Sequence, residues 1–317
     1  MPQYPDPNLL VGSSTADDAG VYRLNDETSL VQTLDFFTPI VDDPYLFGRI
    51  AATNSLSDVY AMGGRPITAM AIAGMPDDLL SNEDIAEVFR GGADMVAEAQ
   101  CSLVGGHTIK NPQPIYGLSV TGLVHTENFL ANAHCKPGDT LILTKPLGTG
   151  IISTAVKRGI CPDELQELAI QAMTTLNRSG ATLADKKLVN GCTDITGFGF
   201  LGHLAEMMKG SNTSAEIDTN SVPALSPLVM KFIEEDCVPG GSKKNLLNIA
   251  PSVNFGDNIS EAVKLLMADA QTSGGLLLSV PPENEAETLD ILANSEALCV
   301  SIVGQVTNKQ AHDIFCS

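Results

Sequence analysis

Strand-like and helix-like segments follow one another irregularly along this chain, and that irregularity limits the fold more than any other feature. Residues 29–35 (SLVQTLD) read as a strand ending on Asp35, and 67–73 (ITAMAIA) as a second short apolar strand. Between them, Asp42-Asp43-Pro44 is a helix start, with a capping carboxylate followed by proline in the first turn. The helix it opens runs through 45–61 and stops at Gly63-Gly64. Ser81-Asn82-Glu83-Asp84 opens a second helix as a capping-box variant, running to about Gln100, and a strand follows at 115–124. The turn signal Lys136-Pro137-Gly138-Asp139 leads at once into the strand 140–144 (TLILT), so the expected domains are 1–137 and 138–317. The second half is richer in helix, near 148–157, 163–177, 179–187, 199–209, 226–235, 258–268 and 283–294. Its strands are expected near 213–217, 275–280 and 298–303. Several strands sit beside one another without a strict βαβ rhythm, which predicts α+β layers rather than a doubly wound sheet.

Charge and cysteine content narrow the function. The formal net charge is −20 over 317 residues. Such a chain lacks the basic footprint needed to displace counterions from nucleic acid, and it is repelled by anionic membranes. Anionic ligands remain open, because carboxylates hold Mg²⁺ and the metal holds phosphate. The seven cysteines form no C-x-x-C pair, which disfavours a disulfide framework or zinc knuckle and predicts a reduced, cytoplasmic setting. The opening residues Met1-Pro2-Gln3-Tyr4-Pro5-Asp6-Pro7 lack the positive n-region and apolar h-region expected of a signal peptide, and no apolar run approaches the roughly 18 residues of a spanning helix.

Several aspartates stand where ligands bind. Asp17-Asp18, in STADDAG, reads first as a solvated loop or an Asx-turn. Asp35 leaves the sheet at the end of an apolar strand, where ligands commonly bind, and taken alone it reads equally well as a helix- or turn-capping residue. Asn54 and Asp58 are i and i+4 on the predicted helix, so they share a face that is either functional or merely wet. Asp194 precedes Gly197-Phe198-Gly199-Phe200-Leu201-Gly202, a formal G-x-G-x-x-G. The preceding VNGCTDIT is too polar for the buried strand of a dinucleotide fingerprint, and the aspartate would repel bare pyrophosphate. A helix N-terminus beside a carboxylate suits a metal–phosphate complex better. Gly105-Gly106-His107-Thr108 reads as a turn with an exposed histidine or as a close backbone approach to a ligand. Gln271-Thr272-Ser273-Gly274-Gly275, at a strand entrance, reads first as structural. His107 and His203 lack zinc-motif context. With no Walker A loop, nucleotide binding would have to run through several aspartates and Mg²⁺.

DPNLLVG (6–12), ADDAGVY (16–22), LDFFTPIVDDPYLFGRIAATNSLSDVYAMGG (34–64), GGHT (105–108), LTKPLGTG (143–150), TDITGFGFLGHL (193–204), VPGG (238–241) and DAQTSGGLLL (269–278) closely resemble the selenophosphate synthetases, also called selenide, water dikinases. The resemblance runs from about residue 6 to residue 304. It implies a two-domain α+β fold shared with the aminoimidazole ribonucleotide synthetases, in which the N-terminal domains pair into a β-barrel at a homodimer interface. It implies that ATP, selenide and water yield selenophosphate, orthophosphate and AMP. It places metal ligands on Asp18, Asp58 and Asp194, and ATP contacts on Thr15, Ala16, Asp17, Asp35, Asp58, Gly106, His107 and Thr108. Domain 1–137 would then carry ATP, metal and dimer contacts. The family's reactive cysteine or selenocysteine and its ATP-contacting lysine lie in a segment before the DPNLLVG block. They would precede Met1, so no catalytic side chain is assigned here. A non-catalytic, nucleotide-binding homodimer is the alternative reading.

Overall fold

The computed structural model describes residues 4–12, 16–76 and 78–317. Among these, strands β1 (Leu9–Val11), β2 (Gly20–Arg23), β3 (Thr28–Phe37), β4 (Arg65–Met75), β5 (Ser102–Lys110) and β6 (Ile115–His125) form one sheet, ordered β1-β2-β3-β6-β4-β5. Only β4 and β5 pair in parallel. Helices α1 (Pro44–Ala61) and α2 (Asn82–Glu98) complete this half.

Both helix starts follow their capping chemistry. The Leu46 amide donates to Asp43 Oδ1 at 2.9 Å with Pro44 in the first turn. Ser81 and Asp84 cap reciprocally, at 3.1 and 3.2 Å. From Ile50 to Ala61 every residue of α1 is buried, which is the state of a helix walled in on all sides rather than of a surface helix.

The second half holds β7 (Thr140–Leu143), β8 (Gly191–Asp194), β9 (Thr213–Ile217), β10 (Val253–Phe255), β11 (Leu276–Val280), β12 (Ser301–Asn308) and β13 (Ile314–Cys316), in the order β10-β13-β9-β12-β7-β11-β8. Around them lie α3 (Thr149–Lys157), α4 (Asp163–Thr174), α5 (Ser179–Asp185), α6 (Gly199–Ser211), α7 (Leu228–Glu234), α8 (Gly240–Ile249), α9 (Glu261–Met267) and α10 (Glu285–Ala293). The two halves share α1. Its Ile50 joins the core of the second half, while Leu176 and Ala181 join the core of the first. Mixed pairing in both sheets is the α+β layering that the pattern predicts.

Two corrections bear on function. GGHT is no turn: it lies inside β5, an edge strand exposed along its whole length. The polar stretch before Asp194 does form a strand, because β8 pairs with the apolar β11 and is buried throughout. A dinucleotide fold still does not result, since β8 pairs antiparallel at a sheet edge and α6 leads to β9, which is not its neighbour.

The first sheet turns one face to α1 and α2. The other face carries Leu34, Phe36, Ile67 and Met70, all exposed, and Leu103, Val104 and Ile109 on β5 are exposed beside it. Leu34 and Met70 both pair with Ser119, so they flank the same point of β6.

Candidate active site: a buried carboxylate cluster

Four aspartates converge where the two halves meet. β3 alternates, so Val31, Thr33 and Asp35 point inward while Gln32, Leu34 and Phe36 point outward. Asp35 Oδ2 accepts from Asn54 Nδ2 at 2.7 Å, and the Thr33 hydroxyl donates to Asp58 Oδ2. On α1 the residues Asn54, Ser57 and Asp58 fall at i, i+3 and i+4 and make one polar stripe. That stripe is buried, not wet. Ser57 Oγ donates to Asp194 Oδ2 at 2.5 Å across the domain junction. Thr193 Oγ1 donates to Asp18 Oδ1 at 2.8 Å, which brings the Asp17-Asp18 turn onto the end of β8. Asp18 is only partly buried as a residue, yet its Oδ2 is shielded from solvent with no hydrogen-bond partner.

The electrostatics follow from this crowding. Burial lifts the Asp18 and Asp58 carboxyls well above the usual range, and the neighbouring Asp194 charge adds to both. Burial also raises Asp194, to about 6, although the Ser57 hydrogen bond opposes it, as does the charge of Lys145. Asp35 is raised by burial against the pull of Asn54. Glu206, on α6, is raised in the same way and feels Asp17. The cluster thus carries more negative charge than a buried site tolerates without a counter-charge.

The donor set suits a hard divalent cation. It consists of carboxylate oxygens, one of them the unpartnered Asp18 Oδ2, and a bound cation would reverse the rise in these pKa values. Among the described residues no three such groups are already drawn into a closed cage. The aspartates are neighbours in one repulsive field.

The remaining residues implied by the resemblance divide. The Ala16 carbonyl accepts from Asn132 Nδ2 at 3.1 Å and Asp17 Oδ1 accepts from the Asn132 amide at 2.7 Å, so this turn is anchored beside the cluster. Thr15 lies outside the described residues. Gly106, His107 and Thr108 are not brought to Asp35 within the chain. They sit on edge strand β5, three strands from β3, or roughly 14 Å at the usual strand spacing.

The residue pattern alone misses the groups that bind the cluster together. Asn177 Nδ2 donates to Ser57 Oγ at 2.8 Å and to the Gly274 carbonyl at 2.9 Å. The Ser273 amide donates to Asn54 Oδ1 at 3.0 Å. The Gln271–Gly275 loop is therefore wired to two of the four aspartates as well as shaping a strand entrance. A legible signal existed at Lys145, a charged residue directly after the apolar strand TLILT.

The comparisons with known proteins bear on the family and the fold. Residues 16–124 match the family model "AIR synthase related protein, N-terminal domain", and 136–317 match the corresponding C-terminal domain. The chain is 47% identical over 314 residues to selenide, water dikinase 2 of Peptoclostridium acidaminophilum, covering 99% of this chain and 90% of that protein. It is 48% identical over 305 residues to selenide, water dikinase of Pelobacter propionicus, covering 96% and 87%. Among solved structures, "AaThiL complexed with AMPPCP and TMP" superposes with a TM-score of 0.69 at 18% identity, over 95% of this chain and 87% of that one. This last likeness concerns the fold alone. Two domain matches in tandem and near-half identity over almost the whole length place the chain in the selenide, water dikinase family of phosphotransferases, on the AIR synthase fold.

Proposed function

We propose that this chain makes selenophosphate from ATP, selenide and water, releasing orthophosphate and AMP, and that its nucleotide site is the four-aspartate cluster. The observation that carries the reading is the cluster itself: Asp18, Asp35, Asp58 and Asp194 are gathered from both halves, and burial raises the carboxyl of each. Asp18, Asp58 and Asp194 would hold Mg²⁺, while Ala16, Asp17 and Asp35 would face the nucleotide. Mg²⁺ in such a site neutralises phosphate charge and supports in-line displacement. The chain's own part is to orient the carboxylates through Thr33, Asn54, Ser57 and Thr193 and to keep them in a dry junction where their field is strong.

A homodimer belongs to the same proposal. The outward face of the first sheet and the free edge β5 form an apolar surface of a kind that monomers seldom leave bare. A second copy seated there would supply Gly106, His107 and Thr108 to a site that they do not reach within one chain. The division into 1–137, for ATP, metal and pairing, and 138–317 is part of this reading. So is a cytoplasmic setting, which the free thiols favour. No helix among the described residues is long and apolar enough to cross a membrane.

Anaerobic incubation with ATP, Mg²⁺ and selenide, followed by phosphorus NMR and nucleotide chromatography, tests the activity. Selenophosphate, orthophosphate and AMP in equal amounts are the expected result. Thermal stabilisation by Mg²⁺ and ATP with no AMP would favour the non-catalytic reading instead.

A further inference from the structure

Buried aspartates in this chain are satisfied in two different ways. Asp139 and Asp269, outside the cluster, have both carboxylate oxygens taken. Asp139 Oδ1 accepts from Asn190 Nδ2 at 3.0 Å, and its Oδ2 accepts from the Lys136 amide at 2.9 Å and from Ser279 Oγ at 2.7 Å. Asp269 Oδ1 accepts from Ser242 Oγ at 2.8 Å, and its Oδ2 accepts from the Gly150 and Ile151 amides at 3.1 and 3.2 Å. That is the usual state of a buried carboxylate with a structural task. The three aspartates assigned to Mg²⁺ differ. Each takes a hydroxyl on one oxygen: Asp18 Oδ1 from Thr193, Asp58 Oδ2 from Thr33 and Asp194 Oδ2 from Ser57. No hydrogen bond from another described residue reaches Asp18 Oδ2, Asp58 Oδ1 or Asp194 Oδ1. Asp18 Oδ2 is also shut off from solvent, so leaving it unpaired is costly.

Ser57 is the most tightly specified of the three donors. A serine hydroxyl has one proton to give. Asn177 Nδ2 donates to Ser57 Oγ at 2.8 Å, which fills its acceptor side and leaves the proton for Asp194 Oδ2, at 2.5 Å. Asn177 is itself held by the Gly274 carbonyl at 2.9 Å, next to the Ser273 carbonyl that accepts from Lys145 Nζ at 2.8 Å.

We infer that Thr33, Ser57 and Thr193 set the cation preference of the cluster: each hydroxyl occupies one oxygen of its aspartate, so the site offers one oxygen per carboxylate and favours Mg²⁺ over Ca²⁺. The inference rests on the metal assignment proposed above and adds the source of its selectivity. Mg²⁺ is small, demands a tight octahedral shell and keeps several waters in it, so single carboxylate oxygens suit it. Ca²⁺ is larger, takes about six to eight oxygens, and gains from a carboxylate that turns both oxygens toward it. A carboxylate with one oxygen tied to a hydroxyl cannot do so without breaking that hydrogen bond.

The test follows the melting temperature of the nucleotide-free full chain as MgCl₂ or CaCl₂ is titrated, and reads the ratio of the two half-saturating concentrations. The native protein is expected to respond at lower Mg²⁺ than Ca²⁺. Ser57→Ala and Thr33→Val remove the hydroxyls from Asp194 and Asp58, and each should shift the ratio toward Ca²⁺ by about 10-fold. If only one of them folds, its ratio decides. Ser55→Ala is the control. Ser55 is a buried serine on the same helix, but its hydroxyl serves the main-chain carbonyls of Ala51 and Asp35, so its removal should leave the ratio native. An unchanged ratio in the hydroxyl variants, an equal shift in Ser55→Ala, a native protein with no preference for Mg²⁺, or failure of both hydroxyl variants to fold would overturn the inference while the metal assignment stands. No response of the native protein to either cation would instead remove the metal assignment, and the inference with it.

Discussion

Neutralising Asp194 should make the metal-free protein more stable, not less. Asp194 is 1% exposed, so solvent does little to screen it. Its carboxyl is raised from 3.8 to about 6, chiefly by burial. At about 1.36 kcal/mol per pH unit that gap is worth about 3 kcal/mol. The sign follows from proton counting. Between the two values the folded state binds more protons than the unfolded state, so stability falls as pH rises. The contribution is complete below about 3.8 and lost as pH climbs through about 6. Asp194→Asn keeps an oxygen for the Ser57 hydroxyl while removing the charge, and so mimics the protonated side chain at every pH. Urea denaturation in EDTA across pH 4 to 8 reads the effect. The variant should exceed the native protein by up to about 3 kcal/mol near pH 7.5 and lose less stability on the way there. Asp18 and Asp58, raised in the same direction, leave part of the slope in place. Saturating Mg²⁺ should reverse the order, because the native cluster then gains what the variant cannot bind. A variant less stable than native at pH 7.5 in EDTA, or one with an unchanged slope, would refute the reasoning.

Asp58→Asn should lower AMP formation by at least about 10²-fold while circular dichroism stays native, since it removes a charge from the cluster and leaves an amide in its place. Gly106→Ala should cost about 1–3 kcal/mol in urea midpoint, because the added Cβ would stand 2.2 Å from the Ala71 carbonyl oxygen, which is backbone and cannot swing away. Val104→Asp, at an exposed position of β5, should shift sedimentation toward the monomer without lowering the monomer's own stability. An unchanged sedimentation profile there would remove the proposed interface.

The long elements were legible because each announces itself locally. Asp43-Pro44 starts α1 and Ser81 caps α2 where their chemistry requires, and the apolar runs of β3, β4 and β6 lie where alternation puts them. The strands that went unread have no such signal: β1, β10 and β13 have three residues each, β2 has four, and β8 is polar, while β5 was legible only as the short strand SLV at 102–104 before its exposed glycines. β8 is a strand only because β11 lies beside it, so its identity is a property of pairing rather than of composition.

The same boundary runs through the site. Residue type and motif resemblance singled out Asp18, Asp35, Asp58 and Asp194 and turned a net charge of −20 from an objection to phosphate into an expectation that Mg²⁺ on these carboxylates would hold it. Whether those carboxylates meet, and at what electrostatic cost, was decided only by the tertiary structure. α1 is buried between the two halves, and its inward stripe carries Asn54, Ser57 and Asp58 to partners 19, 137 and 25 residues away in sequence. Lys145, Asn177 and the Ser273–Gly274 carbonyls join the site by hydrogen bonds that link distant parts of the chain. Local sequence carries capping and periodicity because those act over a turn or a strand. Desolvation and charge coupling act through space, and they appear only when the chain has closed on itself.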